Sequence, residues 1–275
     1  MGSSSSKGSA KGKSVVAAKL STAEKTGVLN LADQDLKASS TVWDKLTTQG
    51  LVIKLRTLDI SGNILKSLPA EVHAMTQLKV LHASHCNIQR SYDMTVLQRL
   101  VTLNLDNNDL ESVCLAQLPV TLQRLNLCNN HFVTIPTGGL NGLVHLTELN
   151  LSGNRLNSTD GIGALIALVD LNVDNNNLTE VSEDLVLCVK LKHLSLRNNK
   201  ISAKGNEGQQ SIPEQVFIET LLDNIDLSGN AMLSKAMVWN FEGIDTFLER
   251  RKVSKTKNLL SGAADLDEDV FGNLL

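Results

Sequence analysis

Several short stretches carry residue types that could do chemistry, and each can be held against the geometry its chemistry demands. Lys7-Gly8-Ser9-Ala10-Lys11-Gly12-Lys13-Ser14 has the glycines, lysine and serine of a phosphate cradle. Lys7 stands where the first glycine must be, and no strand precedes the segment, so nothing would hold backbone N–H groups around a phosphate. His82, His85 and Cys86 are metal-ligand types close together. Asp265, Asp267 and Asp269 alternate like calcium ligands. Val270 fills the place that demands glycine, and no glutamate closes the loop, so they read as a solvated acidic tail or a docking peptide. No serine, histidine and acid triad can be argued, because the histidines other than His82 and His85 are dispersed.

Met1-Gly2-Ser3-Ser4-Ser5-Ser6 fits the acceptor pattern for N-myristoylation, with Gly2 as the acylated residue. One acyl chain binds a membrane only marginally. Lys7, Lys11, Lys13 and Lys19 could add about 1 kcal/mol each on an anionic inner leaflet. An unlipidated Gly/Ser/Lys tail is the plain alternative.

The element that must position everything else is a repeat. The phrase L-x-x-L-x-L-x-x-N begins at Leu55, Leu100, Leu122, Leu146, Leu168, Leu191 and Leu222, with a weaker copy from Leu78 that ends on Cys86. Starts lie 22 to 24 residues apart except the last, 191 to 222. Alternation across a strand turns the second and third apolar residues of each copy inward and the residue between them outward. One coil cannot hide its leucines alone, so coils must stack. Asn63, Asn108, Asn130, Asn154, Asn176, Asn199 and Asn230 follow the strands, where an amide can satisfy backbone groups left unpaired by the turn. In that frame His82 faces outward and Cys86 the asparagine ladder, so the metal-ligand types do not converge, and no metal is expected.

This pattern resembles the leucine-rich-repeat family over roughly residues 26–250. The resemblance implies an α/β solenoid: a right-handed superhelix forming a curved horseshoe segment, with short parallel strands on the concave face and helix, 3-10 helix and loop on the convex side. Within the family, Ala23-Glu24-Lys25-Thr26-Gly27-Val28-Leu29 and the 241–250 segment are similar to the small intracellular type named leucine-rich repeat-containing protein fifty-seven. That type implies an acylated N-terminus and no enzyme activity.

The expected organisation is a flexible Ser/Gly/Lys tail at 1–22, a repeat domain at 23–250, and a charged tail at 251–275. Exposed ends of a stack need covers. The N-terminal cap falls at about 26–50, with a degenerate first strand at 25–31 and Gln34 at its ladder position; a helix at 235–250 closes the other end. Residues 202–210, inside the long interval, read as a bulging surface loop.

Net charge is −3, which gives no global pull on nucleic acid. Cys86, Cys114, Cys128 and Cys188 fall in different coils without paired spacing, and no secretory signal or apolar span is evident. A reduced, cytoplasmic and peripherally membrane-bound monomer is expected.

Outward strand residues carry no core, which makes them the default surface for a protein partner. One row runs Thr57, Val80, Thr102, Arg124, Glu148, Asp170, His193; the next runs Asp59, His82, Asn104, Asn126, Asn150, Asn172, Ser195. Just beyond lie Asp106, Cys128, Asp174 and Arg197. Glu148, Asp170 and Asp174 make an acidic patch flanked by Arg124, His193 and Arg197, suited to a basic or amide-rich segment. These strand-facing residues are expected to be free of structural duty. The reading is a non-enzymatic interaction scaffold without cofactor. A regulatory subunit of a phosphatase or small GTPase, or a cytoskeletal or ciliary component, would use the same solenoid.

Overall fold

The structure, a computed structural model, describes residues 8–260 apart from 91–92, 112–114, 116, 137 and 206–207, with backbone alone for 8–14 and 257–260. Gly2, Cys114 and the acidic run at 265–269 therefore lie outside the described residues. The chain divides into two compact units, Met1–Asn126 and Leu127–Leu275.

The first unit opens with helix α1 (Gly8–Thr26), followed by β1 (Val28–Asn30), α2 (Val42–Thr48), β2 (Thr57–Asp59), β3 (Val80–His82), β4 (Thr102–Asn104) and β5 (Arg124–Asn126). Its strands pair in parallel in chain order, each with one buried central leucine: Leu29, Leu58, Leu81, Leu103 and Leu125. The expected flexible tail is corrected here, because residues 8–22 are helical. Val16, Leu20 and Ala23 recur at helical spacing, and Leu20 and Ala23 are buried at the start of the stack. The exposed edge of β1 demanded a larger cover than the sequence frame assigned. Trp43 on α2 is buried and donates its indole N–H to the Lys37 carbonyl at 2.8 Å.

The second unit holds β6 (Glu148–Asn150), β7 (Asp170–Asn172), β8 (His193–Ser195), α3 (Glu214–Glu219), β9 (Asn224–Asp226), α4 (Lys235–Trp239) and α5 (Ile244–Leu260). Its strands also pair in parallel in chain order. Short 3-10 helices at Ile162–Ala164 and Glu183–Leu187 return two of its coils. The long interval holds more than a loop: Val216 and Phe217 of α3 are buried, and Phe217 meets Phe247 edge-on at 6.0 Å between centroids. The terminal cover is two helices rather than one, broken at Gly243, whose φ is +82°. A Cβ there would lie 2.8 Å from the Glu214 carbonyl, so the chain turns sharply to lay α5 against α3. α5 also takes residues 251–260 out of the expected charged tail. Arg250 donates to the Leu222 and Phe217 carbonyls at 2.5 and 3.0 Å.

The ladder asparagines behave as the repeat demands. The Asn108 carbonyl accepts the Cys86 and Ile88 N–H groups, and its amide donates to the Ala83 and Leu105 carbonyls at 2.8 and 3.0 Å. Asn63, Asn154, Asn176, Asn199 and Asn230 bond likewise within their units. Cys86 can donate but hardly accept. Its thiol reaches the Ile60 carbonyl at 3.2 Å, while the backbone carbonyl of Cys86 itself takes the Leu65 and Lys66 N–H groups. A second rule shows only in the backbone. The residue before each ladder position has positive φ: Asp33, Gly62, His85, Asn107, Asn129, Gly153, Asn175, Asn198 and Gly229. Asparagine, aspartate and glycine tolerate that conformation best, which explains the recurrent Asn-Asn and Gly-Asn pairs.

Candidate binding face

The outward rows are built as the period-2 argument requires, unit by unit. In the first, Thr57, Val80, Thr102 and Arg124 stand in register, and so do Asp59, His82, Asn104 and Asn126. In the second, Glu148, Asp170 and His193 continue to Asn224, while Asn150, Asn172 and Ser195 continue to Asp226. Every one of these residues is partly or fully exposed, as are Asp106, Asp174 and Arg197.

The Asp/Asn row is not free of structural duty, which corrects the expectation. Asn30, Asp59, Asn104, Asn150, Asn172 and Asp226 each accept the N–H two residues on, from Ala32, Ser61, Asp106, Ser152, Asp174 and Ser228. These Asx turns end the strands and satisfy a donor that the ladder leaves over. Where the row departs from Asx, the preceding coil supplies the acceptor. His82 cannot do it, and Ser84 N–H goes to the Ser61 hydroxyl at 3.2 Å. Ser195 does not do it, and Arg197 N–H goes to the Asp174 carboxylate at 2.7 Å. The Asp/Asn row is thus explained first by backbone chemistry.

In the first unit, Arg124 donates to the Thr102 hydroxyl at 2.9 Å, and Asp59 accepts from the Asn30 amide at 3.2 Å. Asp106 accepts from the Ser84 hydroxyl and the Asn107 amide. His82 lies on the strand face, His85 occupies its left-handed corner, and the Cys86 thiol is buried. Burial pushes that thiol up to about 11. Among the described residues no group of three His, Cys, Asp or Glu side chains is placed to hold a metal ion.

The second unit carries the denser cluster. His193 Nδ1 meets the Asp170 carboxylate, and its Nε2 lies 3.7 Å from Asp223 Oδ1. The other Asp223 oxygen accepts the Ser254 hydroxyl of α5 at 2.8 Å. Arg197 Nε lies 3.6 Å from Asp226 Oδ2, and Ser195 donates to Asp174 at 2.6 Å. The histidine is therefore held between two acids, and among the described residues no serine donates to it. Sequence reasoning brought Asp170 and His193 together but missed Asp223. A usable signal existed: Asp223, like Lys192, immediately precedes the outward strand residue of its copy. The side chains of His193, Asp170 and Arg197 are 49, 45 and 54 % exposed, so these ion pairs orient the face more than they stabilise it. Among the described helices none is long and apolar enough to cross a membrane.

Comparison with known proteins fits this architecture. A family model described as leucine rich repeat matches residues 98–156. Adenylate cyclase of Schizosaccharomyces pombe is 31% identical over 67% of this chain, and osteomodulin of Rattus norvegicus is 33% identical over 61%. The matched stretch spans 9% and 41% of those two relatives. A leucine-rich-repeat protein of Leptospira interrogans superposes with a TM-score of 0.59 at 26% identity, covering 79% of this chain and 50% of that one. Periodic sequence, ladder, parallel strands and structural neighbours together show a leucine-rich-repeat fold.

Proposed function

We propose that this chain is a non-enzymatic protein–protein interaction scaffold, tethered to a membrane through an acylated Gly2, and that the strand face of its second unit receives a basic or amide-rich segment of a partner. The observation that supports it most is the pre-set array on β6 to β8. Glu148 is exposed, Asp170 is half exposed, and Asp174 is partly exposed, with one carboxylate oxygen tied to the Arg197 N–H and the Ser195 hydroxyl. His193 holds Asp170, and the Arg197 N–H with the Ser195 hydroxyl holds Asp174, before any partner arrives, which lowers the ordering cost of binding. The Met-Gly-Ser-Ser start and its lysines support the tether, and likeness to the fifty-seven type points the same way.

The test is a pair of variants in cells. Glu148→Lys with Asp170→Lys spares the Asp174 bond to the backbone and should leave the melting curve unchanged while removing bound proteins from a pull-down. An unchanged bound set overturns the strand-face assignment. Gly2→Ala should move the protein to the soluble fraction; unaltered fractionation overturns the tether alone.

A further inference from the structure

Four exposed branched side chains line up along one edge of the second unit. Val144, Ile166 and Val189 each stand four residues ahead of a paired strand residue, Glu148, Asp170 and His193, and Leu221 stands three ahead of Asn224. Successive strands lie about 4.8 Å apart, so the four form a ridge roughly 15 Å long. They are 39, 53, 51 and 48% exposed. The corresponding positions of the first unit are broken by Thr76 and Gln98. A contiguous apolar strip without a core duty marks a surface that something covers.

The rim and the course of the chain indicate what. Lys190 and Lys192 border the ridge, both exposed, and no carboxylate pairs with either among the described residues. Ser254 bonds Asp223 two residues beyond Leu221, so α5 runs past the ridge's end, and Val253 beside it is 52% exposed. The sequence that follows α5 interleaves Leu266, Val270 and Phe271 with four acids, Asp265, Asp267, Glu268 and Asp269. Its apolar residues match the ridge and its charge matches the lysine rim. Even a few of its residues, at about 3.3 Å each, span the ridge.

We infer that the acidic segment 261–275 docks on the Val144–Ile166–Val189–Leu221 ridge of its own chain, with its carboxylates on Lys190 and Lys192. This is a self-association that a competing partner segment of like chemistry would have to displace. It is independent of the strand-face reading, which uses the outward rows rather than this edge.

The test is zero-length carbodiimide cross-linking of the full chain in an equal mixture of light and heavy isotopic forms. Cross-links from Lys190 or Lys192 to the 265–269 acids, within single chains, are expected. Ile166→Ser with Val189→Ser removes exposed methyls, so the melt should hold while cross-link yield falls about tenfold. Absent cross-links overturn the inference, and so do mixed light–heavy products alone, which would assign the ridge to a second copy. A yield unmoved by the double serine variant overturns it as well, because the ridge would not be the seat.

Discussion

The Asp174 carboxylate accepts the backbone N–H of Arg197, one coil further on, at 2.7 Å. A residue that looks like a surface acid therefore splices two coils. Its neighbour Asp170 makes only a half-exposed pair with His193. Asp174→Ala should cost about 1–3 kcal/mol by leaving the Arg197 N–H without its acceptor. Asp170→Ala should cost under about 1 kcal/mol. Urea midpoints of the two variants, with unchanged slopes, decide it; equal midpoints would show that the splice carries no stability.

Asn108 closes the ladder across the degraded copy, where Cys86 cannot accept the bonds that an asparagine would. Asn108→Ala strands the Cys86 and Ile88 N–H groups and the Ala83 and Leu105 carbonyls in the interior. A loss of about 3–5 kcal/mol is expected from several unsatisfied buried groups. Asn108→Asp keeps the acceptor but sets a buried carboxylate oxygen against the Ala83 and Leu105 carbonyls, so at neutral pH it should destabilise at least as much as alanine in a thermal melt. An aspartate variant milder than alanine would contradict the account.

The coils were legible in the sequence because their cause is periodic. Leu103 and Leu105 point inward through strand alternation, and Asn108 follows at a fixed distance. What stayed hidden has causes that are not periodic. α1 forms because β1 needs a cover, and only the contact of Leu20 and Ala23 with the stack reveals it. α3 sits in the one interval that breaks the repeat length. The site was half legible: the rows and their register follow from period 2, whereas the Asx turns of Asn104 and Asn172 depend on N–H groups whose direction the sequence does not display. Asp223 escaped because the irregular interval carries it to His193.

Gly163 sets the spacing of two coils. A Cβ at this position would lie 2.3 Å from the Asp184 backbone oxygen and 2.9 Å from its carbonyl carbon. Backbone cannot swing aside as a side chain can, so the Ile162–Ala164 and Glu183–Leu187 turns would have to separate. Gly163→Ala should lower stability by about 1–3 kcal/mol despite removing a flexible residue. Gly50, with open space around its absent Cβ but φ of +63°, gives the control: Gly50→Asn should be nearly neutral by thermal melt.

Two buried thiols make the fold sensitive to alkali. Burial raises Cys86 from 9.0 to about 11 and Cys188 from 9.0 to about 12, with Asp184 adding to the second. Thiols that stay protonated in the folded chain but ionise when it unfolds contribute stability in full below pH 9, and lose it as pH rises towards their folded values. Each contributes at most about 1.4 kcal/mol per pH unit in that window. Cys188→Ala should therefore flatten the decline of unfolding free energy between pH 9 and 11, measured by urea titration, relative to the parent chain. Parallel declines would mean that the thiol ionises equally in both states.

Arg250 and Arg251 are adjacent on α5 yet should respond oppositely to loss of charge. Arg250 ties α5 to the stack through the Leu222 and Phe217 carbonyls. Arg251 is 7% exposed, its Nε and Nη1 find no hydrogen-bond acceptor among the described residues, and its guanidinium lies 5.9 Å from the Phe247 ring centroid. Burial lowers the pKa of both, with Asp223 opposing it. A buried cation whose donors are unmatched gives up solvation that ring contact only partly restores. Arg251→Met keeps the aliphatic stem against Phe247 and removes the unmatched donors, so its melting temperature should equal or exceed the parent's. Arg250→Met leaves two carbonyls without a charged donor and should cost about 1–3 kcal/mol. If Arg251→Met proves the more damaging of the two, the buried guanidinium has an acceptor in solution, and its place in the cap is stabilising.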